Sequence, residues 1–202
     1  FYCFSVGWAQ TVPPCTLEIT DAETFARDWT VIDVNSNVSA NTWAYNDGNA
    51  MYTQDKSNAA DDWLIAPAVT LEAGKAYKVS AYVKHSSTFG SDKQKIELKI
   101  GTAPTVEGLT TRLVYDESFQ SRLFVEKSGT FSPAESGVFY VGLRCYSGSY
   151  MGDLYFQKIV IEEAPVYPVQ ITDLSIVAGE RGAMSATLSW TWPSSDHLGG
   201  AL

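Results

Sequence analysis

Side chains able to do chemistry are few in this sequence, and their spacing narrows what they can do. There are only two histidines, His85 and His197. A Ser-His-Asp hydrolase would have to draw on His85, in Lys84-His85-Ser86-Ser87 at the end of a strand. No G-x-S-x-G elbow is present to raise a serine nucleophile. His85 therefore reads as a solvated loop histidine. No His/Cys set has zinc spacing, and no glycine-rich loop is shaped for phosphate. Adjacent carboxylates occur at Asp61-Asp62 and Glu162-Glu163. Neighbours on a strand point to opposite faces, so neither pair is an acid/base couple by itself.

Binding chemistry is better represented. The run Asp33-Val34-Asn35-Ser36-Asn37 places Asp33, Asn35 and Asn37 at alternating positions. A loop can curl such a D-x-N-x-N run around calcium, although the glycine and the distal glutamate of an EF-hand are missing. The same side chains also suit an Asx-rich turn bonded to its own backbone. Trp43 and Tyr45 follow this loop, Tyr52 follows the next turn, and Tyr146 and Tyr150 flank Ser147-Gly148-Ser149. Aromatic faces stack on sugar rings as on other apolar surfaces. Trp43, Tyr45, Tyr52 and Tyr150 are thus candidate ligand contacts, while Trp29, Trp43 and Trp63 also suit core packing. Cys15 shares a strand face with Leu17 and Ile19, and Cys145 shares one with Phe139, Val141 and Leu143. Both point to a core, either as a disulfide or as two buried free thiols.

The elements that must hold these residues are strands. Lys95 to Ile100 alternates strictly, and Tyr77, Val79, Ala81 and Val83 form an apolar row against Lys78, Ser80 and Lys84. Leu154 to Ile161 is a β-branched and aromatic run. Such alternation sets one face on a core and one in water. Turn residues fall between the runs at Asn46-Asp47-Gly48-Asn49, Glu72-Ala73-Gly74-Lys75, Ser132 to Gly137 and Ser147-Gly148-Ser149. The spacing predicts about ten strands between Cys15 and Glu163, as in a sandwich. A short helix is expected near Asp21 to Arg27. No segment sustains a helical apolar period, which disfavours α/β folds with crossover helices.

Composition sets the outer limits. The chain has 202 residues, 45% of them apolar and 13% aromatic, so it can bury a core. Its net charge of −9 repels phosphate backbones and anionic membranes. Nucleic acid is therefore not an expected partner. No run reaches the ~18 apolar residues of a transmembrane helix. Phe1 to Gln10 is uncharged and mostly apolar, and Gly7 and Ala9 are placed as in a signal-peptidase site. Residues 1–9 are expected to be a signal-peptide remnant, with an apolar first strand as the alternative. Export to a secreted or cell-surface location follows from the signal reading. The stretch 164–168 carries Pro165 and Pro168 and reads as a linker. Residues 169–202 then offer two strands and a turn, too little to close a sandwich.

Several motifs resemble one family. Asp28-Trp29-Thr30-Val31-Ile32-Asp33 with Trp43 ahead, and above all Ala60-Asp61-Asp62-Trp63-Leu64-Ile65-Ala66-Pro67, resemble choice-of-anchor J domains. These are similar to the cleaved-adhesin domains of gingipain-type proteins. Leu71 to Ser80, Gly101 to Gly108 and Gly137 to Tyr146 support the likeness, which spans about residues 13–163. The tail from Ala183 to Pro193, with Gly199-Gly200-Ala201-Leu202, looks like the opening of a fibronectin type III domain.

The resemblance implies a jelly-roll β-sandwich over residues 10–163, on exported proteins of anaerobic Gram-negative bacteria. It implies adhesion or substrate targeting through an extracellular protein or glycan, beside other domains of a longer polypeptide. Calcium is bound by some members. Here Gln157 stands where the family often has an aspartate that can serve as a ligand, which removes a charge from such a site. Asp61, Asp62 and Trp63 are expected to have a structural role, the carboxylates bonding backbone amides at the start of their strand. A non-catalytic adhesion or binding module is the leading expectation. The alternative is an accessory domain of a larger secreted peptidase or glycoside hydrolase.

Overall fold

The computed structural model describes residues 11–35, 41–86, 91–165, 167–182 and 184–196. Residues 1–9, Asn37, His197 and the Gly199–Leu202 end of the tail, all of which carry expectations above, lie outside the described residues. The chain divides into two units, Phe1–Glu163 and Ala164–Leu202.

The first unit starts with β1 (Cys15–Glu18), α1 (Ala22–Asp28), β2 (Thr30–Asp33), β3 (Trp43–Asn46) and β4 (Asn49–Tyr52). It goes on through β5 (Asp62–Ile65), β6 (Val69–Leu71), β7 (Tyr77–His85) and β8 (Gln94–Gly101). It ends with β9 (Thr111–Phe119), β10 (Val125–Phe131), β11 (Gly137–Cys145) and β12 (Leu154–Glu163). One antiparallel sheet runs β10-β7-β12-β4-β3 with β1 also on β12, and the other runs β2-β5-β11-β8-β9 with β6 also on β11. This is an all-β jelly-roll sandwich. The short β2 and β6 carry too little alternation to announce themselves, which is why the described residues of this unit hold twelve strands where about ten were expected.

Period two explains the packing. Ile96, Leu98 and Ile100 on β8, Val141 and Leu143 on β11, and Leu64 on β5 form the inner face of one sheet. They share a single core with Val79, Ala81 and Val83 on β7 and with Phe156, Ile159 and Ile161 on β12. Trp29 meets Phe156 edge-on at 5.3 Å, a contact worth about 1 kcal/mol beyond area burial. The β3–β4 hairpin turns at Asp47 and Gly48, with φ of 44° and 75°. Two positive φ values make a two-residue turn whose twist matches the strands, which is what Asp-Gly supplies. In α1 the Asp21 side chain accepts from Thr24 N–H at 2.7 Å as an N-cap. Only Phe25 of this helix is buried.

The two core-facing cysteines do not form a disulfide; both thiols are free. Cys15 pairs with Ile161 on one sheet and Cys145 with Ile96 on the other. Cys145 Sγ donates to Gln94 Oε1 at 3.2 Å instead. The second unit holds β13 (Ser175–Ala178) and β14 (Ala186–Ser189), an antiparallel hairpin. Ile176 and Leu188 on it, and Trp192 after it, are exposed.

Candidate ligand-binding face

The Asp62-Trp63-Leu64-Ile65 strand is buried along its whole length. Leu64 enters the main core. Trp63 and Ile65 point the other way and are covered by Leu109. Leu109 gets there because the 101–108 loop folds tightly, with Thr102 N–H donating to Gly108 O at 3.2 Å. A Cβ on Gly101 would sit 1.8 Å from Gly108 O, so the loop closes only over glycine. An apolar cluster of Trp63, Ile65 and Leu109 therefore backs the outer face of this sheet.

Next to it lies a row set by register. Ile32 on β2 faces Trp63 on β5, Trp63 faces Arg144 on β11, Arg144 faces Glu97 on β8, and Glu97 faces Tyr115 on β9. Arg144 forks onto Asp61 through Nε–Oδ1 at 2.7 Å and Nη2–Oδ2 at 2.9 Å. Asp61, helped by Glu97, holds the guanidinium pKa above its ordinary value. Asp61 thus bonds a side chain across the sheet, a partner that spacing alone did not name. Arg144 Nη1 also reaches Glu97 Oε2 at 3.4 Å, and Lys99 and Arg112 approach Glu97 Oε1 at 3.6 and 3.7 Å. Glu97 is only 5% exposed although it faces outward, because these cations and rings cover it.

The rings continue the layer. The Arg144 guanidinium lies 5.1 Å from the Tyr146 ring centre and 5.7 Å from that of Trp63. Arg112 lies 4.7 Å over Tyr115, and Tyr115 and Tyr146 are near-parallel at 6.0 Å. Tyr115 is 51% exposed, and Arg112 reaches solvent beside it. Each charged group is held by its neighbours, so the face is shaped before any ligand arrives. It offers the Tyr115 ring and hydroxyl and the Arg112 guanidinium to a flat or polar partner. Burial, and then the Tyr115 hydroxyl, push the Tyr146 phenol well above its ordinary pKa, so it stays neutral.

Asp62 differs from its neighbour. It is 0% exposed, its Oδ2 accepts from Asp61 N–H at 3.0 Å, and its Oδ1 has no hydrogen-bond partner among the described residues. The Asp61 amide bond is of the kind expected at the start of this strand. Burial raises its carboxyl to about 6, opposed mainly by the nearby Thr42 hydroxyl.

The residues singled out from sequence fall in different places. Trp43 and Tyr52 are each 2% exposed and pack edge-on at 6.1 Å inside the sandwich. They are core residues, not ligand contacts, because no ring face is left open. Tyr45 is half-buried against the same core. Tyr150 alone of the four is exposed, in a turn with φ of 60°. Asp33 pairs with Asp62 across β2 and β5, and Asn35 Nδ2 donates to Ala59 O at 2.6 Å. Among the described residues no three His, Cys, Asp or Glu side chains converge as a metal site. Asp33 and Asn35 by themselves do not make up a calcium site. His85 is not solvated; it is buried, with Nε2 at 2.5 Å from Met151 O. A carbonyl only accepts, so Nε2 carries the proton.

No protein-family model matches the chain, and no curated protein matches it. Solved structures do. The K3 cleaved adhesin domain of Lys-gingipain from Porphyromonas gingivalis W83 is 11% identical at a TM-score of 0.55, over 72% of this chain and 97% of that one. The K1 cleaved adhesin domain of the same protein is 14% identical at 0.51, over 75% and 99%. The first carbohydrate-binding module of BiXyn10A, in its apo form, is 19% identical at 0.50, over 75% and 98%. At these identities the likeness is one of fold, and the fold is that of an adhesin-like jelly roll.

Proposed function

We propose that the first unit is a non-catalytic extracellular binding module that recognises a protein or a glycan. The observation that carries this is the Trp63–Arg144–Tyr146–Tyr115–Arg112 layer on the outer face of one sheet. Trp, Tyr and Arg are the residue types that dominate binding energy at interfaces. Here they are fixed by ion pairs and register rather than left mobile, which lowers the ordering cost of binding. Neighbours named as cleaved adhesin domains and a carbohydrate-binding module support the reading, and with it a secreted or surface location. Membership of the choice-of-anchor J group is part of the same proposal.

The test is retention of the full chain on an array of glycans and extracellular matrix proteins. Tyr115→Ala and Arg112→Ala are expected to weaken the best ligand at least tenfold with the melting temperature nearly unchanged. Retention of nothing, or equal binding by both variants, sinks the reading and leaves a structural spacer. The apolar face of the 175–189 hairpin supports residues 169–202 as the first strands of a fibronectin type III sandwich, joined by 164–168. Calcium at Asp33, Asn35 and Asn37 remains a proposal, and a melting temperature indifferent to EDTA ends it.

A further inference from the structure

On the opposite sheet, a pocket of about 210 Å³ is lined by Lys84, His85, Ser86, Arg122 and Tyr155. Its walls come from three segments that the backbone ties together. His85 N–H donates to Ser121 O at 2.6 Å, which pins the loop that carries Arg122 to the end of β7. Ser86 N–H donates to Asp153 O at 2.9 Å, and Asp153 N–H donates to Ser86 Oγ at 2.7 Å. Lys84 faces Tyr155 across the β7–β12 ladder.

The charge in this pocket is unusual for a chain of net charge −9. Lys84 Nζ lies 4.5 Å from the Tyr155 ring centre and 4.9 Å from that of Phe124. Two rings hold the ammonium in place but do not neutralise it. Neither Lys84 nor Arg122 forms an ion pair among the described residues. The nearby Asp153 carboxylate accepts Gln54 N–H through Oδ1 at 3.0 Å. Ser86 Oγ already accepts from Asp153, so its own hydrogen is available to a ligand.

We propose that this pocket binds the carboxylate or sulfate group of an acidic sugar. Arg122 supplies a fork that fits a planar carboxylate or two sulfate oxygens, and Lys84 adds a held point charge. Ser86 adds a neutral donor. The volume is smaller than the ~300–1,000 Å³ of a drug-sized site, which suits one sugar unit rather than an oligomer. The tyrosine wall gives the ring of that sugar an apolar surface. This rests on the glycan form of the binding-module reading and adds a ligand class on a second face.

The experiment measures binding of the full chain to four probes by titration calorimetry. These are an oligogalacturonate, a sulfated galactan oligosaccharide, the neutral galactan oligosaccharide, and an oligoglutamate peptide. One or both acidic sugars should bind at least tenfold tighter than the neutral one, and the two acidic probes separate carboxylate from sulfate. Lys84→Met and Arg122→Gln should each lower that affinity at least fivefold, with Arg122→Lys recovering part of it. Lys75→Met, which removes a surface cation beyond the other end of β7, should leave it unchanged. Both cations reach the surface, and a melting temperature near that of the parent shows the variants folded. Equal binding of acidic and neutral sugars, an unaffected Lys84→Met Arg122→Gln double variant, or oligoglutamate binding as tightly as the sugars would each overturn the proposal. Neutral sugar lost on Tyr115→Ala, without acidic preference, would overturn this pocket alone and leave the binding-module reading standing. If no probe binds and the array retains nothing, both fail.

Discussion

Replacing Asp62 by Asn should make the protein more stable at neutral pH and change nothing at low pH. The carboxyl of Asp62 is fully buried, with one oxygen bonded to Asp61 N–H and the other unpartnered among the described residues. Its folded pKa is about 6, against an ordinary value of 3.8. The folded state therefore holds this proton more tightly than the unfolded chain does. Stability from the neutral acid is complete below about pH 4, falls as pH rises through 6, and is gone above that. At 1.36 kcal/mol per pH unit the full swing is about 3 kcal/mol. Asn keeps the shape, can accept the Asp61 amide, and turns an amide toward the nearby Thr42 Oγ1. Urea or thermal unfolding of parent and Asp62→Asn from pH 4 to 8 should give curves that coincide near pH 4. By pH 8 they should separate in favour of the variant by about 3 kcal/mol, or roughly 6–12 °C for a domain of this size. A difference independent of pH would show that burial does not govern this carboxyl. A variant less stable than the parent at pH 8 would refute the reasoning outright, since the charged form would then be favourably compensated.

Four other outcomes follow from the same structure. Arg144→Met removes the fork on Asp61 and one of three cations over Glu97, in a region less than a third exposed; it should cost about 2–3 kcal/mol in urea unfolding. Gly142→Ala would place a Cβ 2.4 Å from Leu109 Cδ1 and 3.1 Å from Trp63 Cε3, for a loss of about 1–3 kcal/mol. Gly101→Ala should cost more, because its Cβ meets backbone rather than a side-chain tip. Iodoacetamide in denaturant without reductant should label both Cys15 and Cys145. Under native conditions Cys15 should react first, since burial pushes the Cys145 thiol up to about 12; mass spectrometry showing a protected pair would mean a disulfide after all.

How much the sequence disclosed depended on whether a feature is local. Alternation in 95–100 and in 77–83 is set by neighbours two apart, so strand identity and core face could be read directly. The Asp-Gly hairpin and the Asp21 cap are likewise decided within four residues. Trp43 and Tyr52, two of the aromatic candidates, turned inward for the opposite reason. A tryptophan after a loop looks the same whether its strand is central or at an edge, and β3 turned Trp43 inward against Tyr52. His85 misled similarly: the end of a strand suggested solvent, but the 147–153 loop folds over it and supplies Met151 O.

The face that carries the functional proposal was least legible, and register is why. Tyr115, Glu97, Arg144 and Trp63 lie on four strands, and nothing in their separate segments says that they align. One trace was present. Arg144 sits between Leu143 and Cys145 in an otherwise apolar run, and a charge there must find a partner on the outer face. Asp61 is that partner, so the two halves of the Asp-Asp pair have separate tasks. Asp61 ties β5 to β11 from outside, and Asp62 closes the same strand from within at a cost that grows with pH. Both faces of this strand are buried because Leu109 covers the outer one, and that requires glycine at 101. The motif residues thus act together as the backing that keeps Arg144, Tyr146 and Tyr115 in one layer.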